Sequence, residues 1–158
     1  MMIMHARPAR ACYHSVCMEL KIRRFDELTA NELYEILRVR CEVFVVEQKC
    51  AYQDIDGIDP RSVHMFYEED GKIAAYLRLF YRNEGIVQIG RVLTVRRKEG
   101  LGRKLLHEAV RYADEIMKPE TMYLEAQTYA AGFYEKEGFR VVSEPFDEDG
   151  IPHVKMIR

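Results

Sequence analysis

Residues 89–106 read IGRVLTVRRKEGLGRKLL, an apolar strand-like run that passes through Arg97-x-x-Gly100-x-Gly102 directly into a helix-like one. The hydrophobic period changes there from two to about 3.6, so a strand ends and a helix begins within a few residues. A strand that feeds a helix through so short a turn belongs to a sheet covered by helices. The turn also has a chemical property. Glycines let a ligand approach the backbone, the first amides of a helix have no partner inside it, and the helix dipole favours negative charge at that end. Arg96, Arg97, Lys98, Arg103 and Lys104 add positive charge around it. The segment therefore reads as a cradle for a pyrophosphate, with glycine positions unlike those of the dinucleotide GxGxxG or the GxxxxGK[ST] loop.

The rest of the chain supplies the sheet and its covers. Residues 19–25 alternate as an edge or mixed strand. From Thr29 or Asn31, either suited to an N-cap, Leu33, Ile36, Leu37, Arg40 and Phe44 recur at three- and four-residue steps and predict an amphipathic helix. Residues 50–60, CAYQDIDGIDP, read as a loop. Residues 64–67 and 73–82 flank a turn as a hairpin, and residues 86–95 add a third antiparallel strand. Leu101, Leu105, Ala109, Tyr112, Ala113 and Ile116 then share one helical face, which Pro119 stops. Residues 122–127 read as a strand, 130–137 as a short helix ended by Gly138, and 139–142 and 153–157 as closing strands. The result is an α/β fold, a mixed sheet covered by helices in a single domain.

Composition narrows the function classes. With 158 residues, 48% of them apolar and 32% charged, the chain can bury one core without disulfides. A formal net charge of -2 gives no footprint for nucleic acid, so any anion site must be local. The four cysteines form no CxxC unit and lie near no histidine pair, which fits reduced thiols in a cytoplasmic protein and no metal. Asp54, Asp56, Gly57 and Asp59 do not match a calcium loop, whose glycine is sixth and whose last ligand is glutamate. No apolar run has the length of a membrane span. The first seventeen residues, MMIMHARPARACYHSVC, lack the apolar stretch of a secretory signal. They are expected to be a disordered leader or extension, with the domain spanning residues 18–158.

Arg97-x-x-Gly100-x-Gly102 between a strand and a helix resembles the acetyl-CoA motif [QR]-x-x-G-x-[GA] of the GNAT superfamily of N-acetyltransferases. Leu124-Glu125-Ala126-Gln127 followed by Phe133-Tyr134-Glu135-Lys136-Glu137-Gly138-Phe139 resembles that family's strand and FYxKxGF segment, with Gln127 where an asparagine is common. Arg40-x-x-Val43-Phe44-Val45-Val46-Glu47-Gln48, Tyr52-x-x-x-Asp56-Gly57-x-Asp59, His64 and Glu148-Asp149-Gly150-Ile151-Pro152-His153 resemble the ElaA-like branch. The resemblance implies a mostly antiparallel sheet and an acyltransferase with acetyl-CoA as co-substrate. Its acceptor would be the amine of a small molecule or peptide. Many members dimerise, but no interface can be read from this chain.

The same resemblance places the pantetheine arm against the backbone of Gly90, Arg91 and Val92, like a strand added beside the sheet. It places the pyrophosphate at Arg97, Lys98, Glu99, Gly100, Leu101, Gly102 and Arg103, with Gln127 alongside. Tyr134 would be the general acid toward the departing thiolate. The general base is open among His153, Glu47, His64 and Glu125, with His153 and Glu47 ranked first; histidine has the best-suited intrinsic pKa. Catalysis by Cys41 is disfavoured, since no Cys-His-Asp order accompanies it. The acidic stretches at residues 54–59 and 146–149 read either as attraction for a cationic acceptor or as a solvated face. The reading of a different class is an acyl-CoA-binding sensor without turnover.

Overall fold

The computed structural model describes residues 17–158, so the expectation of a leader over residues 1–17 falls, apart from Cys17, outside the described residues. The strands are β1 (Glu19–Arg24), β2 (Val63–Glu69), β3 (Lys72–Asn83), β4 (Ile86–Thr94), β5 (Thr121–Gln127), β6 (Arg140–Val141), β7 (Phe146–Glu148) and β8 (Ile151–Ile157). The helices are α1 (Ala30–Arg40), α2 (Leu101–Tyr112) and α3 (Ala131–Glu135). One sheet runs β1-β2-β3-β4-β5-β8-β6, with β7 paired to β8. Every pairing is antiparallel except that of β4 with β5. This is the expected α/β fold with a mixed, mostly antiparallel sheet. Among the described residues no helix is long and apolar enough to cross a membrane.

Strand β3 shows why two covers are needed: residues 73–80 are all buried, as in a strand packed on both faces. Leu77 and Leu79 join the core under α2, whereas Tyr76 joins the core under α1 with Ile36, Val39, Val43 and Leu93. Thr29 caps α1 through a reciprocal box with Glu32, accepting from the Glu32 amide at 3.1 Å while the Glu32 carboxylate accepts from the Thr29 amide at 2.9 Å.

Several sequence expectations shift. The buried side of α1 is Ile36, Val39 and Val43; Leu33 and Leu37 are only half-buried. Apolar residues occupy both flanks of this helix, and its buried side also carries Arg40, whose partners Asp54 and Asp59 lie in the segment before β2. Ile116 is exposed rather than on the buried face of α2, because the helix widens after Tyr112 into a π-type turn that rotates it outward. Strand β7 was not foreseen: it is three residues long and carries two acids, leaving no apolar alternation to detect. Strand β8 starts two residues earlier than expected, at Ile151.

Candidate active site

The sheet opens at its centre. β4 and β5 pair in parallel from Ile86↔Thr121 to Gln88↔Tyr123, after which β4 continues to Thr94 and β5 to Gln127 without pairing each other. The strands part, and one edge of β4 keeps main-chain donors and acceptors with no sheet partner. On its other edge β4 is bulged. Tyr76 opposes Leu93 and Arg78 opposes Gly90, so Arg91 and Val92 share one opposite residue. Arg91 takes the left-handed conformation there, with φ 55. For a residue with a side chain this costs on the order of 1 kcal/mol and needs outside support.

Beyond Thr94 the chain turns through exposed Arg97, Lys98, Glu99 and Gly100 into α2. Gly100 is the N-cap with φ 72; no side chain caps the helix and no acid lies in its first turn. The leading amides are therefore open toward an anion. A Cβ at Gly102 would stand 3.0 Å from Thr94 Cγ2, so glycine there lets the helix start press against the end of β4. Arg96 is drawn away from the turn by Glu69, at 2.6 Å.

Between the parted strands and this turn lies a cleft of about 1150 Å³. Gly90, Arg91, Val92, Arg97, Lys98, Gly100, Leu101, Gly102, Arg103, Gln127, Tyr134, His153 and Glu47 all line it. Glu99 does not; its carboxylate turns outward, 3.8 Å from Arg96. Thus residues separated by more than a hundred positions in the chain meet in one space, and of these residues, named from the sequence for catalysis and cofactor binding, only Glu99 is outside its lining.

Tyr134 is 9% exposed and packed edge-on against Phe133 and Phe139, at centroid distances of 5.0 and 6.3 Å. Burial, reinforced by Tyr129, pushes its phenol well above the usual range and keeps it protonated. His153 Nδ1 lies 2.8 Å from the Ile151 carbonyl, which can only accept, so Nδ1 carries the hydrogen and Nε2 is the free acceptor of the neutral ring. Its Nε2 is 3.7 Å from Glu148. Glu47 is committed to Arg97, and Gln127 Nε2 donates to Gln48 Oε1 at 3.3 Å. Glu125 also lines the cleft but accepts the Tyr123 hydroxyl at 2.6 Å. His64 leaves the list of bases: it is fully buried away from the cleft, accepting from the Tyr76 hydroxyl at 2.8 Å and donating to the Asp59 carbonyl at 3.0 Å. Exposed Cys41 does not line the cleft either.

The acidic loop departs from both of its expected roles. Asp54, Asp56 and Asp59 are neither a free attraction for cations nor a solvated face, because Arg40, Arg78 and Arg91 neutralise them. Arg40 has no exposed side-chain area and spans Asp54 and Asp59 at 2.9 and 2.8 Å. Arg78 reaches Asp59 at 2.7 Å, and its bond to Asp56 helps hold that carboxyl down at about 2, against the opposing effect of burial. Sequence reasoning named Arg40 and Arg91 without their acidic partners and missed Arg78. The signal was Arg78 inside an otherwise apolar strand, where a buried charge requires a partner.

A family model described as an acetyltransferase (GNAT) domain matches residues 26–158. A UPF0039 protein of Schizosaccharomyces pombe is 42% identical over 143 residues, covering 88% of this chain and 95% of that protein. Protein ElaA of Escherichia coli is 38% identical over 139 residues, with coverages of 84% and 91%. Among solved structures, an acyl-CoA N-acyltransferase from Pseudomonas aeruginosa is similar with a TM-score of 0.84 at 41% identity, covering 89% of this chain and 99% of the other. Escherichia coli ElaA reaches 0.85 at 35% identity, with coverages of 90% and 99%.

Proposed function

This chain belongs to the GNAT acetyltransferase family and is an acyltransferase, and from that premise we propose that it moves an acetyl group from acetyl-CoA to a primary amine by direct attack in a ternary complex. One observation carries the reading: the open edge of β4 leads from the uncapped, basic start of α2 to a cleft that both Tyr134 and His153 line. The pantetheine arm would pair with the main chain of Gly90, Arg91 and Val92 as an added strand. The pyrophosphate would meet the amides and side chains of residues 97–103, with Glu99 turned away.

The chemistry then needs three services. A bound ammonium must lose a proton before its nitrogen can attack, and His153 Nε2 is the accepting atom. The developing oxyanion needs donors, which main-chain amides at the β4 bulge supply. As the C–N bond forms and the C–S bond breaks, the Tyr134 hydroxyl gives its proton to the departing sulfur, and the phenolate recovers a proton from the nitrogen of the new amide, which keeps one of the two hydrogens of the neutral amine. The burial that raises the phenol raises a thiol in the same dry space too, since both anions lose their hydration there. The acceptor is an amine of a small molecule or a peptide.

A thiol-release screen with acetyl-CoA over small amines, polyamines, amino acids and peptide N-termini tests the proposal. Amine-dependent release of free coenzyme A is the expected result, and Gly100→Asp should weaken acetyl-CoA binding at least tenfold by setting a like charge against the diphosphate. Acetyl-CoA bound elsewhere in a soaked crystal, or binding with no release for any amine class, would overturn it.

A further inference from the structure

The loop at residues 54–59 holds on to the strand that the acyl donor would pair with. Asp54 Oδ1 accepts from Arg91 Nε at 2.7 Å and from the Tyr52 hydroxyl at 3.0 Å, while Oδ2 accepts from Arg40 Nε at 2.9 Å. The Asp54 carbonyl takes a second bond from each guanidinium, at 3.0 Å from Arg91 and 2.8 Å from Arg40. Asp56 adds a further contact to Arg91 at 3.2 Å. Asp54 is thus fixed by a fully buried arginine of α1 and in turn fixes the one β4 residue whose φ is positive. That residue sits just past the last β4–β5 pair, where the open edge begins.

A left-handed residue with a side chain tends to relax toward extended backbone unless something holds it. Relaxation at Arg91 would remove the bulge and rotate the amides and carbonyls of residues 91 and 92 together, because a bulge sets the aim of the strand that carries it. The clasp therefore bears on the main chain of the cleft wall more than on any ligand directly. Asp54 Oδ1 and Oδ2 are both spent on guanidinium groups, so the carboxylate has little left to offer an acceptor amine.

We infer that Asp54 is a positioning residue for the acyl donor: by clasping Arg91 it keeps the β4 bulge in the left-handed conformation that presents the main chain of residues 90–92 to the thioester. This deepens the acyltransferase reading and rests on it. The effect falls on acetyl-CoA, in both kcat and its KM, and not on the KM of the amine.

Three replacements separate backbone positioning from other roles. Asp54→Asn keeps the shape and removes the charge. Arg91→Met keeps Cβ and the stem but cannot be clasped, whereas Arg91→Gly reaches the same φ without steric cost and needs no clasp. Asp54→Asn and Arg91→Met should each lower kcat/KM for acetyl-CoA by about tenfold or more, the scale of one strained backbone conformation left unsupported. Arg91→Gly should lose distinctly less than Arg91→Met, and adding it to Asp54→Asn should restore part of the loss. Circular dichroism and thermal midpoints check folding, and the Arg91 pair decides the matter if Asp54→Asn does not fold. Calorimetric affinities for acetyl-CoA should follow the same order without turnover. Equal losses in Arg91→Gly and Arg91→Met, or undiminished kcat/KM in folded Asp54→Asn, would overturn the inference. Wild-type protein that binds acetyl-CoA but acetylates no amine would instead sink the acyltransfer reading, with the clasp then judged by the affinity order.

Discussion

The Glu47 carboxylate lies against the Arg97 guanidinium, fifty residues further along the chain, and ties the π-helical segment Cys41–Glu47 that continues α1 to the turn before α2. Both side chains are well exposed, 45% and 65%, so the pair itself is worth at most about 1 kcal/mol and is screened by salt. A diphosphate arriving at Arg97 competes with Glu47 for it. Glu47→Gln should therefore tighten acetyl-CoA binding about two- to threefold at low salt, with the gain fading as salt is added. Calorimetry at two ionic strengths checks this. A hundredfold fall in kcat, with affinity unchanged, would instead make Glu47 the base.

His153 is the base we propose because its hydrogen is held at Nδ1 by the Ile151 carbonyl, leaving Nε2 with a lone pair. His153→Gln should lower kcat by roughly 10²-fold at neutral pH while acetyl-CoA affinity stays within about twofold, the usual scale for losing a general base. The deficit should shrink at alkaline pH, where the amine deprotonates without help. A constant deficit across pH would assign His153 to shaping the cleft rather than to proton transfer.

The contrast between His153 and His64 shows what the sequence could and could not convey. Both are histidines in strand-like segments, and composition around them is similar. Their difference is where their strands stand in the sheet: β8 pairs with β5 beside the split from β4, whereas β2 is separated from β4 by β3, and no local pattern encodes that order. The basic strand-to-helix turn was legible because its pattern is local: glycines, basic residues and a change of period lie within a few positions. The Arg40, Arg78 and Arg91 network was not, since its partners come from α1, β3, β4 and a loop that only tertiary packing brings together. For the same reason Asp54 read as a free acid when its charge is already matched.

Buried His64 gives a pH signature for folding. Burial lowers its pKa below the ordinary 6.5, so as pH falls the unfolded chain takes up this proton before the folded one does. Its contribution is then fully present above about pH 6.5 and is lost progressively below it. His64→Gln, which can still accept from Tyr76 and donate to Asp59, should flatten the stability curve between about pH 7 and 5. Denaturant midpoints measured across that range test it. An unchanged slope would mean another group controls the acid limb.

The two glycines of the turn should fail differently. Gly100 has open space around its Cβ position but a φ of 72, so Gly100→Ala should cost about 1 kcal/mol through the backbone alone. Gly102→Ala has an ordinary φ and instead drives a methyl against Thr94 Cγ2 at 3.0 Å. Pairing Gly102→Ala with Thr94→Ser, which removes that methyl, should return about 1 kcal/mol of stability. The same Thr94 change should do nothing for Gly100→Ala, and thermal melts of the four proteins separate the two mechanisms.

Tyr134 tests the other half of the proton balance. Its hydroxyl makes no hydrogen bond to another described residue, and its ring is held by Phe133 and Phe139. Removing the oxygen therefore leaves no buried partner stranded, and Tyr134→Phe should change folding stability by less than about 1 kcal/mol. Loss of a proton donor to the leaving sulfur should lower kcat by roughly 10²-fold, with acetyl-CoA affinity within about twofold. An acyl donor whose thiol leaves as a stable anion needs no proton, so a p-nitrothiophenyl acetate, if accepted, should show a much smaller deficit in the variant. An equal deficit with both donors would mean that Tyr134 packs the cleft rather than protonating the thiolate.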